Sequence, residues 1–532
     1  MSKTVKLLAL LLAGALSGLL YSLSIPKADV SWLAWVCFVP LFALIPSLCR
    51  STARLLAVGF ISGLVSSLGR VYWIAETLQN YGGLSPIASA LTNGLLIGYL
   101  ALYPTLFLLL CARALPPAHS PFFAWAAAAL FVLLEWIQGW ALTGFPWELL
   151  GYSQYHNQSL LQTASLTGVY GLSFLVMLAN GSLAQVALAV VERGASGLRA
   201  RAVTALVGPP ALLCTAAFAF GSIRLTQDLT GSGEVTRIGI VQGNVSQDMK
   251  WKSNRSSLTT ERYVELTRQL ASSEKLDLII FPETALPFWF RDPSRARQHQ
   301  QIVDLAREIS TPLLVGSLGF DRNRGNLYNT GFLLDEGGLI RDTTHKIHLV
   351  PFGEYLPLPW LFQFMEGLTA ESGQFAPGEE GHKILNVPGS DLPFGVFICY
   401  ESIFPEISRA LAAGGASFLV NTTNDAWFGE TAAPYQHLSM AVLRAVETGL
   451  PIVRVANTGI SALISPRGRV DGATALFETV TKVVSVIPGK GTTFYVRHGD
   501  WFLVLCALFL VSTVAMRLQS RAAEVAALPA RQ

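Results

Sequence analysis

Eight long apolar stretches constrain the fold of this chain more than any other feature. A helix of about 20 apolar residues can cross the hydrocarbon core of a bilayer. Stretches of this kind lie at 5–23, 31–48, 54–74, 86–112, 121–140, 165–191, 202–220 and 500–517. The composition, 51% hydrophobic and 14% charged, also departs from that of soluble proteins. We therefore predict a membrane domain over 1–225 with seven transmembrane helices, and an eighth transmembrane helix over 500–518.

The positive charges predict how these helices are oriented. If every stretch crosses once, most basic residues fall on one side: Lys3, Lys6, Arg50, Arg54, Arg113, Arg193, Arg199, Arg201, Arg517 and Arg521. Loops rich in Lys and Arg remain cytoplasmic. Both termini are therefore expected in the cytoplasm and the segment before the last helix outside it. Glu135, the main acid within a span, is expected to form a hydrogen bond between helices, and no acidic or basic tail indicates a nucleic-acid partner.

Residues 234–490 have the pattern of an α/β domain. Short apolar runs typical of buried strands recur at 236–241, 276–281, 313–316, 332–334, 396–398, 418–420 and 452–455. Amphipathic stretches at 258–272, 296–309 and 434–449 have the length and period of crossover helices. A domain of this size can bury a substantial core. We therefore predict an extracytoplasmic catalytic domain over 234–490.

Cys399 follows one of these predicted strands and precedes a segment in which Pro405 can begin a helix. A strand-to-helix elbow can present a nucleophile, direct backbone N–H groups at a developing oxyanion and favour the thiolate. Buried cysteines are common, so a structural role is the alternative. Cys399 is, however, the only cysteine of the extracytoplasmic segment. A lone thiol in an oxidising compartment favours a functional role.

A cysteine nucleophile needs a base and a group that stabilises negative charge. Glu283 and Lys346 follow predicted strands and could supply both. A papain-like pair of Cys399 with His437 is an alternative, but no orienting Asn or Asp signature lies nearby. His345 and His348 could suggest a metal site, yet no further ligand completes a metal-binding spacing. We therefore predict no metal and no cofactor.

The three motifs around these residues resemble the nitrilase superfamily. They are Pro282-Glu283-Thr284, the run from His345-Lys346 to Gly353-Glu354, and Ile398-Cys399-Tyr400-Glu401. With the apolar stretches on either side, the chain is similar to one branch of that superfamily, the apolipoprotein N-acyltransferases of bacterial inner membranes. Supporting motifs are Gln242-Gly243-Asn244, Lys250-Trp251, the run Asn424 to Gly429, and the loop Gly144 to Gln154. The resemblance implies an αββα sandwich fold for the α/β domain, attached to a multi-span α-helical membrane domain.

The resemblance also assigns roles to single residues. Cys399 would be the nucleophile, Glu283 the general base and Lys346 the cation that stabilises the tetrahedral intermediate. Supporting roles would belong to Glu354, which orients the lysine, to Tyr400 through its backbone N–H, and to Glu401. Expected substrate-binding residues are Trp147, Trp251, Asn329 and Trp427. The aromatic and glycine-rich segment from Pro357 to Gly378 is expected to form a lid.

The implied reaction is acyl transfer between two lipids. An acyl chain would pass from a phospholipid to Cys399 as a thioester, and then to the N-terminal amine of the diacylglyceryl-cysteine of an apolipoprotein, the last step of lipoprotein maturation. Membrane attachment would supply the proximity that such substrates need. Two alternatives remain: a membrane-tethered amidase or nitrilase that hydrolyses small amides with the same three residues, and a binding protein with a degenerate domain.

Overall fold

The structure is a computed structural model that describes residues 3–49, 51–193, 200–227, 234–247, 256–357, 360, 374–379 and 381–527. The chain forms two compact units. One comprises Met1–Tyr72, Ala90–Thr226 and His498–Gln532, and the other comprises Trp73–Ser89 and Gln227–Arg497. The expected Trp251 and most of the expected lid lie outside the described residues.

The first unit is built from long apolar helices. They are Lys3–Leu23, Val39–Leu48, Thr52–Val71, Pro86–Arg113, Phe123–Gln138, Val169–Arg193, Ala200–Thr226 and Trp501–Ala527, with short helices at Gln158–Leu161 and Ala164–Thr167. Among the described residues, seven segments are long and apolar enough to cross a membrane. The unit is therefore a multi-span α-helical membrane domain, and the crossing of each individual helix remains a prediction.

Two of the predicted spans differ from the helices that form. The stretch at 31–48 is a 3₁₀ turn, Ser31–Trp35, followed by the helix Val39–Leu48. The stretch at 121–140 forms the helix Phe123–Gln138, whose 16 residues are fewer than the ~20 that a straight crossing needs. Most of its residues are buried within the unit, and Trp136 is exposed. Whether this helix crosses the membrane stays a prediction.

Close helix packing in this unit depends on glycines spaced four apart. Gly59 and Gly63 of the helix Thr52–Val71 are such a pair: an added Cβ would lie 2.8 Å from Thr105 Cα at the first and 2.6 Å from Ala101 Cα at the second. Small residues at this spacing let helix backbones approach closely within membranes. Glu135 is buried here, and its Oε1 accepts a hydrogen bond from the Leu150 backbone N–H at 2.7 Å. This bond caps a 3₁₀ turn, Leu150–Gln154. The carboxylate also forms a side-chain hydrogen bond with Ser173 of the helix Val169–Arg193, as expected for a bond between helices.

The second unit contains two β-sheets. Its strands are β1 Thr236–Gln242, β2 Leu278–Ile280, β3 Leu286–Trp289, β4 Leu313–Asp321, β5 Asn326–Leu334, β6 Ile340–His345, β7 Ile384–Asn386, β8 Pro393–Ile398, β9 Phe418–Thr423, β10 Ile452–Ala456, β11 Ala462–Ile464, β12 Val470–Asp471 and β13 Val480–Val486. One sheet has the order β13-β1-β2-β4-β5-β6, with β3 beside β4, and the other has the order β12-β11-β10-β9-β8-β7. In each sheet the central strands are parallel.

Alternation along the strands decides what each face covers. Ile238 and Ile240 of β1 pack with Val396 of β8 and Val420 of β9, so this face lies between the two sheets. Val241 packs instead with Tyr263 of an outer helix. Residues i and i+2 share one face of a strand, so each strand contributes to both layers of the core. Both faces of a central parallel strand are buried, which is why these strands read as nearly continuous apolar runs.

Helices cover the outer faces of both sheets. Ser256–Ser273 and Ala296–Ile309 pack on the larger sheet. Pro405–Ala413 packs on the smaller sheet beside Ala433–Thr448, and Gly395 of β8 leaves room for Leu411. The unit therefore has the αββα arrangement, and all three predicted crossover helices are confirmed. The short helix Phe494–His498 follows β13.

The helix Trp73–Asn80 comes from the middle of the predicted membrane domain but belongs to the α/β unit. Trp73 Nε1 donates to Gln436 Oε1 at 3.2 Å, and Thr77 Oγ1 donates to the carbonyl oxygen of Trp427 at 2.8 Å. The Tyr81 ring contacts the Trp427 ring edge-on. The apolar stretch at 54–74 therefore ends as a helix at Val71, and the following segment supports the loop that carries Trp427.

Candidate active site

Cys399 lies at a sharp elbow where a buried strand ends. Strand β8 runs to Ile398, Cys399 opens the 3₁₀ turn Cys399–Ile403, and a helix begins at Pro405. The strand-to-helix elbow predicted from the sequence is therefore confirmed. Cys399 has a φ of 52°, in the left-handed region that residues with a side chain seldom adopt. Backbone strain of this kind persists where the surrounding structure enforces it, and it is concentrated at functional sites.

Lys346 lies between two buried carboxylates. Its Nζ is 2.9 Å from Glu354 Oε1 and 3.2 Å from Glu283 Oε1, and the lysine is only 1% exposed. Burial lowers the pKa of Lys346, but the charges of Glu283, Glu354 and Cys399 outweigh it and raise the pKa well above its usual value. The ammonium is therefore charged and fixed in place. The structure thus brings Glu283 beside a lysine that lies 63 residues later in the chain.

Asn329 of β5 joins the same cluster. Its Nδ2 donates to Glu283 Oε1 at 2.7 Å and to Glu354 Oε1 at 3.1 Å. The backbone of Asn329 also contacts the lysine, because the Lys346 N–H donates to the Asn329 carbonyl oxygen at 2.9 Å. These contacts are those of a residue that holds the carboxylates in position. The expected contact of Asn329 with substrate remains a prediction.

Glu401 connects the elbow to the segment that carries the lysine. Its Oε2 accepts from the Ile398 N–H at 2.6 Å, and its Oε1 accepts from the N–H groups of Ile347 and His348 at 2.7 and 3.1 Å. Burial raises the pKa of Glu401 to about 7, although the three backbone donors oppose that rise. One side chain therefore fixes the position of Cys399 relative to Lys346.

The thiol of Cys399 is not poised as a thiolate. Burial raises its pKa, and the nearby charge of Glu283 raises it further, whereas Lys346 and a hydrogen bond with Thr423 lower it. The balance lies well above the usual thiol pKa. The expectation that the elbow favours the thiolate is therefore wrong for this resting geometry, because desolvation dominates. A thiol held in its protonated form needs a base at the moment of attack.

The remaining candidate residues are placed as follows. Tyr400 is buried in the 3₁₀ turn and its ring packs edge-on against Phe404. Trp427 is partly buried beneath Tyr81. Trp147 belongs to the helical unit, where it is 1% exposed and stacks on Phe145. Its expected contact with substrate remains a prediction.

The histidines considered as alternatives have other partners. His345 Nδ1 is 2.8 Å from Thr330 Oγ1, and the His348 ring lies against Phe404 at 3.8 Å. The ring of His437 contacts the backbone carbonyl of Cys399, with Nε2 3.0 Å from the oxygen. This contact is with the main chain and not with sulfur, so it does not form a papain-like dyad. The sequence analysis assigned His437 no role in supporting the site. Asp425, in the Asn424-to-Gly429 motif, was the signal for such a role, because an aspartate can orient a histidine ring.

The double sheet and its outer helices define a carbon–nitrogen hydrolase fold of the nitrilase type. A family model described as carbon-nitrogen hydrolase matches residues 237–486. A second model, described as the apolipoprotein N-acyltransferase N-terminal domain, matches residues 17–182. The chain belongs to the apolipoprotein N-acyltransferase family, because relatives of that name are more than 30% identical to it over almost its whole length. It is therefore an acyltransferase and a bacterial membrane protein.

Relatives that carry this name match almost the whole chain. The chain is 38% identical to the apolipoprotein N-acyltransferase of Geobacter metallireducens over 513 residues, which are 96% of each protein. It is 32% identical to that of Brucella melitensis over an alignment of 535 positions that covers 96% of each protein. Among solved structures, Saccharomyces cerevisiae Nit3 of the nitrilase superfamily matches with 19% identity and a TM-score of 0.39, covering 51% of this chain and 97% of its own.

Proposed function

We propose that the chain transfers an acyl chain from a phospholipid, through a thioester on Cys399, to the N-terminal amine of the diacylglyceryl-cysteine of apolipoproteins. The observation that carries this proposal is the buried charge cluster at the elbow. Lys346 contacts both Glu283 and Glu354, and the charges of Glu283 and Lys346 both act on the Cys399 thiol. A base, a fixed cation and a protonated nucleophile are the parts that acyl transfer needs.

In the first half-reaction Glu283 takes the proton of the Cys399 thiol as sulfur attacks the ester carbonyl of the phospholipid. The carbonyl oxygen becomes negative and is stabilised by the Lys346 ammonium and the Tyr400 backbone N–H. When the intermediate collapses, the C–O bond to the glycerol breaks. The proton on Glu283 passes to that oxygen, and the lysophospholipid leaves the thioester behind. The raised pKa of Cys399 makes this base indispensable.

In the second half-reaction the amine of the lipidated cysteine attacks the thioester. Glu283 takes a proton from the amine nitrogen, and the same cation stabilises the oxyanion. The C–S bond then breaks, the product carries an amide, and the sulfur recovers the proton. Glu354 holds the Lys346 ammonium throughout, and Asn329 bridges Glu283 and Glu354.

The membrane architecture fits lipid substrates. We propose that 1–225 contributes seven transmembrane helices and 500–518 the eighth, that both termini are cytoplasmic, and that the catalytic domain, 234–490, lies in the periplasm at the inner membrane. Attachment to the bilayer raises the local concentration of both lipid substrates. Trp427 and Trp251 are proposed substrate contacts. Trp147 is proposed to support its loop, since it is buried within the helical unit.

The test is an intact-mass measurement of the detergent-solubilised enzyme. Incubation with phosphatidylethanolamine alone should add the mass of one acyl chain, mapped by digestion to Cys399, and a diacylated lipopeptide should remove it. Cys399→Ala should carry no adduct, and Glu283→Gln should form it far more slowly. Turnover of small amides in place of lipids, or an adduct on another residue, would contradict the proposal.

A further inference from the structure

A second set of buried residues, outside the Glu283–Lys346–Glu354 cluster, holds the backbone of Cys399. His437 lies in the helix Ala433–Thr448 and has no exposed surface. Its Nε2 is 3.0 Å from the Cys399 carbonyl oxygen. A carbonyl oxygen only accepts hydrogen bonds, so Nε2 must be the donor. The histidine therefore satisfies the main-chain acceptor of the elbow residue itself.

A buried ion pair holds the other ring nitrogen. His437 Nδ1 is 2.9 Å from Asp425 Oδ1 and 3.1 Å from Arg454 Nη2. Arg454 Nη2 also donates to Asp425 Oδ2 at 2.9 Å. In either protonation state of Nδ1 one of these groups is its hydrogen-bond partner, because Arg454 donates to a bare nitrogen and Asp425 accepts from a protonated one. The ring is thus fixed in orientation from both ends.

Asp425 also reaches the side chain of the nucleophile. Thr423 Oγ1 donates to Asp425 Oδ1 at 2.9 Å, and the Thr423 side chain is hydrogen-bonded to Cys399. Burial raises the pKa of Asp425, but Arg454 and His437 outweigh it and bring the pKa to about 2. The carboxylate is therefore ionised and can organise both the histidine and the threonine. Cys399 is held at its carbonyl and at its sulfur by groups that converge on one aspartate.

The elbow needs such support because of its backbone conformation. A φ of 52° at Cys399 is sparsely populated for a residue with a side chain. It persists only where neighbouring contacts over-determine it. Glu401 fixes the N–H of the preceding Ile398, and His437 fixes the carbonyl of Cys399. Loss of either bond would let the peptide rotate and displace the sulfur relative to Glu283 and Lys346.

We propose that His437 is a positioning residue for acyl transfer: its bond to the Cys399 carbonyl oxygen, held by Asp425, keeps the nucleophile in the conformation that reacts. The inference rests on the proposed function, because it assumes that Cys399 receives the acyl chain. His437 acts through the backbone of Cys399 and transfers no proton to or from sulfur. The expected consequence is a loss of kcat for acylation with little change in KM, since phospholipid binding does not depend on the position of the sulfur.

The experiment compares His437→Asn with His437→Gln. The amide nitrogen of Gln reaches the region of Nε2 and can donate to the carbonyl, whereas the shorter Asn cannot. Single-turnover acylation of Cys399 by phosphatidylethanolamine is followed by intact mass. His437→Asn should be slower by about 10²-fold, the cost of a misplacement of about 1 Å, whereas His437→Gln should recover most of the rate. KM should stay within about twofold in both.

A control separates this role from general destabilisation. Thr448 lies in the same helix, and its hydroxyl donates to the Arg444 carbonyl oxygen at 2.7 Å. Thr448→Ala should lower the melting temperature and leave the acylation rate unchanged. Asp425→Asn is the second variant, in case His437→Asn does not fold, because it keeps the shape of the side chain and removes the charge. It should slow acylation at least about tenfold without raising KM.

Native acylation rates in folded His437→Asn or Asp425→Asn would overturn the inference while the proposed function stands. Equal slowing of the Gln and Asn variants at unchanged melting temperature would also overturn it, because the donor would then be irrelevant. A native enzyme that forms no adduct on Cys399 would overturn the proposed function, and this inference with it.

Discussion

Replacing Lys346 by Met tests the charge cluster at the centre of the site. The lysine is buried, with Nζ 2.9 Å from Glu354 Oε1 and 3.2 Å from Glu283 Oε1. At an effective dielectric constant of 20 each contact corresponds to an attraction of about 5–6 kcal/mol. Desolvation of the ammonium offsets much of this attraction. Because the pKa of Lys346 is nevertheless raised, the balance favours the charged pair in the folded protein.

Methionine keeps the length of the side chain and removes the charge. Two buried carboxylates then lack their cation, and breaking a buried pair in this way costs about 3–5 kcal/mol. The penalty is relieved when a carboxyl takes up a proton. The stability difference from the native enzyme should therefore be largest near pH 8 and shrink as the pH falls towards 5. Acylation of Cys399 should slow by about 10²–10³-fold, as for loss of one oxyanion donor.

The assay combines single-turnover acylation with melting temperatures at pH 5 and pH 8. Lys383→Met is the matched control, because this lysine is 41% exposed and its pair with Asp342 lies at the surface. An exposed pair contributes about 0–1 kcal/mol, so the control should retain both stability and rate. Normal acylation by Lys346→Met, or an equal loss in the control, would refute the reasoning.

Three further predictions concern other parts of the chain. Burial raises the pKa of Glu401 from 4.5 to about 7, so its charged form is disfavoured in the folded state. The free energy of unfolding should therefore fall by about 3 kcal/mol as the pH rises from below 4.5 to above 7. Thermal melts of Glu401→Gln should lack this pH dependence. Thr77→Val removes a hydrogen bond to the Trp427 carbonyl and should lower the free energy of unfolding by about 1 kcal/mol. Acyl transfer should also slow if Trp427 contacts substrate. An unchanged melting temperature would argue against the Thr77–Trp427 hydrogen bond. An impermeant thiol reagent should label a cysteine placed at the exposed Ser272 from the periplasm and one at Ser520 only after permeabilisation, and the reverse pattern would contradict the orientation.

The sequence alone indicated the fold class because periodicity and run length report burial directly. The helices predicted at 258–272, 296–309 and 434–449 form within a few residues of those bounds. The strand before Cys399 and the elbow after it were also visible, because an apolar run that ends in polar residues and a proline has few other conformations. Six of the strands that the structure describes were missed: β3, β6, β7, β11, β12 and β13. For β7, β11 and β12 the reason is length, since two or three residues carry too little pattern.

It was harder to predict which unit a segment belongs to than which secondary structure it forms. The sequence at 73–89 lies between two apolar helices and was assigned with them, yet it packs within the α/β unit through Trp73 and Thr77. Nothing in its local composition distinguishes a loop that stays in its own unit from one that joins another. Likewise, the apolar helix Phe123–Gln138 has the composition of a span but is shorter than a crossing requires.

What the sequence determined by itself was the kind of protein: apolar segments of membrane-spanning length, an α/β domain, and Glu283, Lys346 and Cys399 as candidates for its chemistry. Only the tertiary structure decided how those residues behave. Desolvation raises the pKa of the Cys399 thiol. Hydrogen bonds between distant segments let Asn329 bridge two carboxylates and let His437 bind the Cys399 carbonyl oxygen. Periodicity reports which face of an element is buried, but the pKa of a buried group and the partner of a buried donor are set by whatever the rest of the chain brings beside them.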